Sequence, residues 1–307
     1  MEDNKRRDAL LYHAKPKPGK IKIVPTKNYG TQRDLSLAYS PGVAEPCIEI
    51  KKDHLNSYKY TNKSNLVAVI TNGTAVLGLG DIGPEASKPV MEGKALLFKI
   101  FAGIDVFDIE ISEKDPEKFI EAVKAISPSF GGINLEDIKS PEAFIIEETL
   151  KHDLKIPVMH DDQHGTAIIS CAALINAVEL VNKKRDLVKI VISGAGAAAI
   201  SCARLYNSFG FKSKNIVMLD SNGVISSMRK GLSKQKKEFS TSRKIKSLNE
   251  AIEKSDVFIG LSKGGILKKE MLLKMNENPI VFAMANPDPE ISYELACSTR
   301  SLSLIHI

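Results

Sequence analysis

Lys189–Phe211 reads KIVISGAGAAAISCARLYNSFGF, and this stretch decides the fold class. An apolar β-branched run ends at Ile192, a cluster of small residues follows, and a helical pattern then extends to about Phe209. Inside it, Gly194-Ala195-Gly196-Ala197-Ala198-Ala199 fits the pattern G-x-G-x-x-A. The first glycine permits a tight turn, the second lets a pyrophosphate approach the backbone, and Ala199 lets helix pack on strand. The N–H groups at the helix start, with Ala197 and Ala198 in the first turn, are donors for phosphate oxygens. A second strand candidate, Ile216–Leu219, runs into Asp220, about twenty residues beyond the motif, where an acid for a ribose diol belongs. Strand, glycine turn, helix, second strand and acid in register make a dinucleotide-binding βαβ unit. A glycine turn that only packs a helix explains the first part of this pattern and not the rest. Asp220 by itself argues for NAD, whereas Lys234, Lys236 and Lys237 downstream can neutralise a 2′-phosphate, so the balance leans to NADP.

Outward from this unit the same alternation recurs. Upstream strand candidates are Leu66–Ile70, Val76–Leu79, Val106–Ile111, Phe130–Leu135 and Pro157–Met159. Helical patterns lie between them at Ala86–Phe101, Pro116–Ile126 and Pro141–Leu154, with Asp115-Pro116 and Ser140-Pro141 reading as cap-then-proline helix starts. Downstream, Val257–Gly260 and Ile280–Ala283 continue the strands. Strand–helix alternation of this kind predicts an α/β fold of parallel sheets covered on both faces. Ala167–Val181 reads as a long helix, apolar nearly all round and hence buried, joining the two halves. The expected domains are therefore an N-terminal α/β catalytic domain, 1–164, and a doubly wound Rossmann-type domain, 165–307.

Composition bounds the function. The chain has 307 residues, 43% hydrophobic and 26% charged, enough for two buried cores. No apolar run is long enough for a membrane span, and the charged start MEDNKRRDALLYHAK does not resemble a secretory signal. Cys47, Cys171, Cys202 and Cys297 show no C-x-x-C spacing, which suits free thiols in the cytoplasm. The net charge of +6 is largely local: Ser226–Lys246 holds eight Lys/Arg against one Glu. With 6% aromatics, no Trp and no nucleic-acid motif, nucleic-acid binding ranks last.

A second motif, VMHDDQHGTA at Val158–Ala167, places two histidines around two aspartates. His160 and His164 are four apart, as in H-E-x-x-H, but they straddle a predicted strand-to-helix turn rather than one helical face. Adjacent carboxylates suit an oxygen-loving ion, Mg²⁺ or Mn²⁺, better than zinc. Glu136-Asp137 forms another acidic pair at a predicted strand end, where ligands gather in open α/β sheets. Successive strand residues point to opposite faces, so both acids serve one ion only if the strand has already ended there.

YSPGVAEPC at Tyr39–Cys47, GLGDIGPEASKPVMEGKALLFK at Gly78–Lys99, INLEDI, DDQHGTA and GAGAAA together resemble malic enzymes of the compact bacterial type, in order and spacing from about Arg7 to Glu290. The resemblance implies oxidation of L-malate by NADP⁺ or NAD⁺ to pyruvate and CO₂, with Mg²⁺ or Mn²⁺. It implies Glu136, Asp137 and Asp162 as metal ligands with Asp161 beside them, Lys94 as general base and Tyr39 as general acid. Asn286, in MANPDP, is similar to an asparagine near substrate and nicotinamide. These residue types suit the chemistry. A lysine becomes a base when burial and a nearby divalent cation lower its pKa. A metal acts as Lewis acid on the developing enolate, and a tyrosine can return a proton to carbon. His160 and His164 are then positioning or structural residues. A homodimer is the default assembly.

Two departures stand out. Ala75 occupies the place of a substrate-gripping arginine in the larger animal-type enzymes, leaving backbone N–H groups around Gly73 as candidates for the distal carboxylate. The end, ISYELACSTRSLSLIHI, does not resemble the family's continuation. A shortened second domain with an open sheet edge is expected from it. Alternatives are a malolactic-type enzyme that releases lactate and a non-catalytic nucleotide-binding remnant.

Overall fold

The computed structural model describes residues 2–76, 78–300 and 303–306, with residues 2, 3 and 303–306 by backbone alone. Two compact units result, one of residues 1–76, 80–138 and 145–159, the other of 77–79, 139–144 and 160–307.

The first unit opens with four helices, α1 (Glu2–Ala14), α2 (Gln32–Ala38), α3 (Ala44–Lys52) and α4 (Asn56–Tyr60). None of the described residues before Leu66 is buried. The sheet follows: β1 (Leu66–Thr71), α5 (Pro84–Ala102), β2 (Asp105–Glu110), α6 (Pro116–Ile126), β3 (Gly132–Leu135), α7 (Glu142–Asp153) and β4 (Val158–His160). Its order is β2-β1-β3-β4, with β1 parallel to both β2 and β3. The connection from β1 leads to β2 on one side and that from β3 to β4 on the other, so the switch point lies at the carboxyl ends of β1 and β3. Two of these helix starts have a local cause. Pro84 and Pro116 stand in first turns, and the Asp115 carboxylate accepts from the N–H groups of Glu117 and Lys118. Met91 and Ala95 of α5 pack on Val69 and Val106.

Val76–Leu79 is not a strand. Val76 and Gly80 form only an isolated bridge, and Leu77 lies outside the described residues. Gly78 and Gly80 have positive φ, which turns the chain before a strand can extend.

The second unit contains α8 (Asp161–Leu180), β5 (Ile190–Ser193), α9 (Ala197–Ser208), β6 (Ile216–Asp220), β7 (Gly223–Val224), α10 (Lys234–Glu238), α11 (Leu248–Ala251), β8 (Val257–Gly260), α12 (Lys269–Leu273), β9 (Ile280–Ala283), α13 (Tyr293–Thr299) and β10 (Ser303–His306). The sheet order is β10-β9-β8-β5-β6-β7, parallel except for β7. At one edge of the sheet β10 pairs with β9 in parallel, from Ser303↔Ile280 to His306↔Ala283. The long helix is corrected. It begins at Asp161, and it buries one stripe, Ala167, Ser170, Cys171, Leu174, Ala177 and Val178, while Ile168 and Ile169 are 62% and 58% exposed. The buried stripe has helical spacing, so apolar composition all round did not mean burial all round. No helix among the described residues is long and apolar enough to cross a membrane.

Candidate functional site

In the first unit the acids lie at the switch point. Strand β3 ends at Leu135; the Glu136 N–H still donates to the Ile70 carbonyl (3.0 Å), and Asp137 then turns to φ 54°. This left-handed residue ends the strand alternation, the condition under which both carboxylates can serve one ion. The Ala75 N–H donates to the Asp137 carbonyl at 2.9 Å, bracing the turn. Both acids are nearly inaccessible, Glu136 at 5% and Asp137 at 3%. Lys94 reaches the same point from α5. Standing three residues after Met91 and one before Ala95, it shares the sheet-facing side, and its Nζ is 3.2 Å from Glu136 Oε1. Asn134 Nδ2 donates to the other carboxylate oxygen at 2.8 Å. Buried carboxylate oxygens beside a lysine are hard donors, a set that fits Mg²⁺ or Mn²⁺ rather than a sulfur-seeking metal.

Tyr39 lies in the same unit at the C-terminal end of α2, with 79% of its surface exposed. Three of the N–H groups around Gly73 already have acceptors inside the protein. Gly73 donates to Thr71 Oγ1 (2.9 Å), Ala75 to Asp137, and Val76 to the Gly80 carbonyl (2.9 Å). The loop spends these donors on its own shape.

In the second unit Asp161 and Asp162 occupy the first turn of α8, where the helix dipole favours carboxylates. His160 caps this helix by backbone only; its ring is fully buried, and Nε2 lies 3.6 Å from Asp162 Oδ2. Gly165 has no side chain because the Asp161 carboxyl lies over it: a Cβ there would meet Oδ1 at 2.8 Å.

The dinucleotide motif takes its expected form. Gly194, at φ 127°, leaves β5 with its N–H on the Leu219 carbonyl (2.9 Å) and its α-carbon against the Leu261 backbone. Gly196 caps α9, and a Cβ there would meet nothing within 4 Å, so its face is an open cradle before the N–H groups of Ala197 and Ala198. Ala199 is 1% exposed and packs in the core. The crevice at the carboxyl end of β5 is the switch point of this sheet, since β6 and β8 flank it. Asn286 follows β9 at the same edge and is exposed. A cavity of about 390 Å³ beside the motif is lined by Ala195, Ile200, Asp220, Arg229 and Lys236 among others, a size that admits part of a nucleotide.

Two residues escaped the sequence reading. Glu290 is fully buried and accepts from the N–H groups of Ser262 and Ala285, each at 3.1 Å, tying the ends of β8 and β9 together. Arg229 grips Asp220 with both terminal nitrogens, at 2.9 and 3.0 Å. Burial alone would raise the Asp220 pKa, but Arg229, Lys236 and the Asn222 N–H outweigh it and hold the carboxyl well below its usual range. Arg229 was hidden among the other cations of its basic run; a charge within reach of a strand-terminal acid was the available signal.

Comparison with known proteins places these features in a family. The model of the malic enzyme N-terminal domain matches residues 18–116 and 112–151, and that of the malic enzyme NAD binding domain matches 163–297. An NADP-dependent malic enzyme of Halomonas elongata is 54% identical over 300 residues, covering 98% of this chain and 71% of that protein. A bifunctional malic/malolactic enzyme of Bacillus subtilis is 51% identical, covering 94% of this chain and 71% of its own length. The crystal structure of an NAD-dependent malic enzyme from Thermotoga maritima superposes with a TM-score of 0.92 at 43% identity, covering 97% of this chain and 80% of that one. Against several other curated relatives the chain spans about two-fifths of their length, 38–41%.

Proposed function

The chain belongs to the malic enzyme family, and from that membership we propose that it oxidises and decarboxylates L-malate to pyruvate and CO₂ while reducing NADP⁺ or NAD⁺. The observation that carries the reading is the meeting of Lys94 with Glu136 at a sheet switch point, 3.2 Å apart and largely buried.

Residues 1–164 take malate and metal in this reading, and 165–307 take the nicotinamide cofactor. Glu136, Asp137 and Asp162 hold Mg²⁺ or Mn²⁺, with Asp161 beside them. When bound, the cation withdraws electrons from the substrate oxygen as a Lewis acid. Lys94 accepts the proton of the malate C2 hydroxyl as hydride leaves C2 for the cofactor. Glu136 and Asn134 keep the lysine's surroundings polar and fixed. Tyr39 returns a proton to C3 after CO₂ departs, and its exposure requires that substrate or a second copy cover it before it can act. Gly194, Gly196, Ala197 and Ala198 receive the pyrophosphate, Asp220 stands at the adenosine ribose, and Asn286 lies toward the nicotinamide.

We also propose a homodimer. Before Leu66 no described side chain is buried, yet Leu10, Ile23, Tyr29, Leu35 and Leu37 expose apolar surface there, which a second copy of the chain would cover. The four cysteines are free, in keeping with the cytoplasmic location we assign.

The test is absorbance of reduced nicotinamide with L-malate and Mn²⁺, run with NADP⁺ and NAD⁺ in parallel and scored for pyruvate. Metal-dependent signal with equimolar pyruvate supports the reading. The bifunctional relative favours one alternative, a malolactic reaction, and lactate without net cofactor reduction would establish that instead.

A further inference from the structure

Asp220 ends β6, where an acid commonly accepts hydrogen bonds from an adenosine ribose diol. Its capacity to do so is already filled. An ionised carboxylate offers about four lone-pair sites. Oδ1 accepts from the Asn222 N–H (3.0 Å) and Arg229 Nη1 (2.9 Å), and Oδ2 accepts from Arg229 Nη2 (3.0 Å) and Lys236 Nζ (2.9 Å). A diol would have to displace a charge-assisted bond to enter.

The cations are in the opposite condition. Arg229 spends Nη1 also on the Val224 carbonyl (3.3 Å), which fixes the guanidinium to the β6–β7 turn. Its five N–H donors are not exhausted by these bonds, and the lysine ammonium has three. Both side chains remain reachable, at 25% and 31% exposure, while Asp220 is at 9%. The supports are rigid. Lys236 sits on α10, whose Glu238 is held by Arg204 of α9 at 2.8 Å and whose following residue, Phe239, is buried in the core. Among residues lining the cavity, Arg229, Lys230 and Lys236 stand against the single carboxylate of Asp220. A cavity with three cations, one spent anion and remaining N–H donors suits a dianion rather than a neutral diol.

We infer that Arg229 and Lys236 are specificity-determining residues that select a 2′-phosphorylated adenine dinucleotide, and that Asp220 serves as the anchor holding both cations in place. This rests on the dinucleotide-binding reading of the second unit and makes its cofactor choice specific. Arg229 offers a planar fork to phosphate oxygens and Lys236 a point charge from the other side.

The test uses the full chain and two nucleotides that differ only in the 2′-phosphate, adenosine 2′,5′-bisphosphate and adenosine 5′-monophosphate, with dissociation constants measured by calorimetry. The bisphosphate is expected to bind at least tenfold more tightly, with the preference shrinking as salt rises. Arg229→Leu and Lys236→Met are each expected to weaken the bisphosphate at least tenfold while leaving the monophosphate within twofold, which also certifies the fold. Equal or tighter binding of the monophosphate by the unaltered chain, or unchanged bisphosphate affinity in both variants, overturns the inference and leaves the dinucleotide site standing. Binding of neither nucleotide overturns both.

Discussion

Lys94 Nζ stands 3.2 Å from Glu136 Oε1, with the lysine side chain 21% and the glutamate 7% exposed. Helix α5 and the end of β3 thus deliver a base candidate and a ligand candidate to one point. Lys94→Met should lower kcat by about 10²–10⁴-fold, the range for loss of a general base. Mn²⁺ binding, followed by the metal-induced rise in Tm, should persist in Lys94→Met and be lost in Glu136→Gln. Persistence in both would remove Glu136 from the ligand set.

The Glu290 carboxylate joins β8 to β9 through two backbone N–H groups. Glu290→Ala should destabilise the chain by about 2–4 kcal/mol, because buried donors lose their acceptor. Gly260 lies directly under the same carboxyl, so Gly260→Ala should cost about 1–3 kcal/mol by overpacking. Urea unfolding measures both, and a neutral Gly260→Ala would show that the carboxyl is able to move.

Asp256 accepts from Lys183 Nζ (2.6 Å), the Lys189 N–H (2.9 Å) and Asn276 Nδ2 (2.9 Å). Burial raises its pKa, but these three partners outweigh burial and leave it below the ordinary value. A depressed folded-state pKa gives stability that is fully present above the unfolded value, about 3.9, and is lost as pH falls through the folded one. Asp256→Asn should therefore cost about 1–3 kcal/mol at pH 7. The gap from the unaltered chain should hold steady above about pH 5 and narrow below about pH 4. A gap that widens on acidification would contradict this.

Glycine to alanine inside a helix usually stabilises by about 0.5–1 kcal/mol. Gly165→Ala should not, because its Cβ would lie 2.8 Å from Asp161 Oδ1. The displaced carboxylate should lower kcat on the order of 10–100-fold, as expected of a misplaced site group. Steady-state kinetics with a matched melting curve separates the two effects.

Cys47 and Cys297 are exposed, whereas Cys171 and Cys202 are buried. Burial pushes the Cys202 thiol up to about 11, with Ser170 Oγ 3.3 Å away. A thiol-reactive dye should label Cys47 and Cys297 quickly in the folded chain and the remaining pair only on unfolding. Fast labelling at Cys202, read by peptide mass, would contradict its place in the core.

Much of the site was legible in the sequence. The G-x-G-x-x-A turn, Asp220 at its strand end and the acidic pair after β3 all stand where local patterns placed them. What those side chains do was less legible. Asp220 read as an acceptor awaiting a ribose, yet its oxygens are filled by Arg229 and Lys236, nine and sixteen positions downstream. Around Gly73, the N–H groups of Gly73, Ala75 and Val76 have taken acceptors that no local pattern names. The helix from Ala167 read as buried on all sides, and α8 buries only one stripe, from Gln163 to Val178.

The sequence by itself determined the two α/β units, the cofactor turn, the helix starts and the positions of the acids. Each depends on periodicity, caps and glycines within a few residues of one another. Only the tertiary structure decided that Lys94 meets Glu136, that Asp137 leaves its strand at φ 54°, that Glu290 ties β8 to β9, and that Ser303–His306 pairs with β9. Such contacts form when packing brings distant segments together and buried polar groups must find partners, and local sequence carries no record of which partner is nearest.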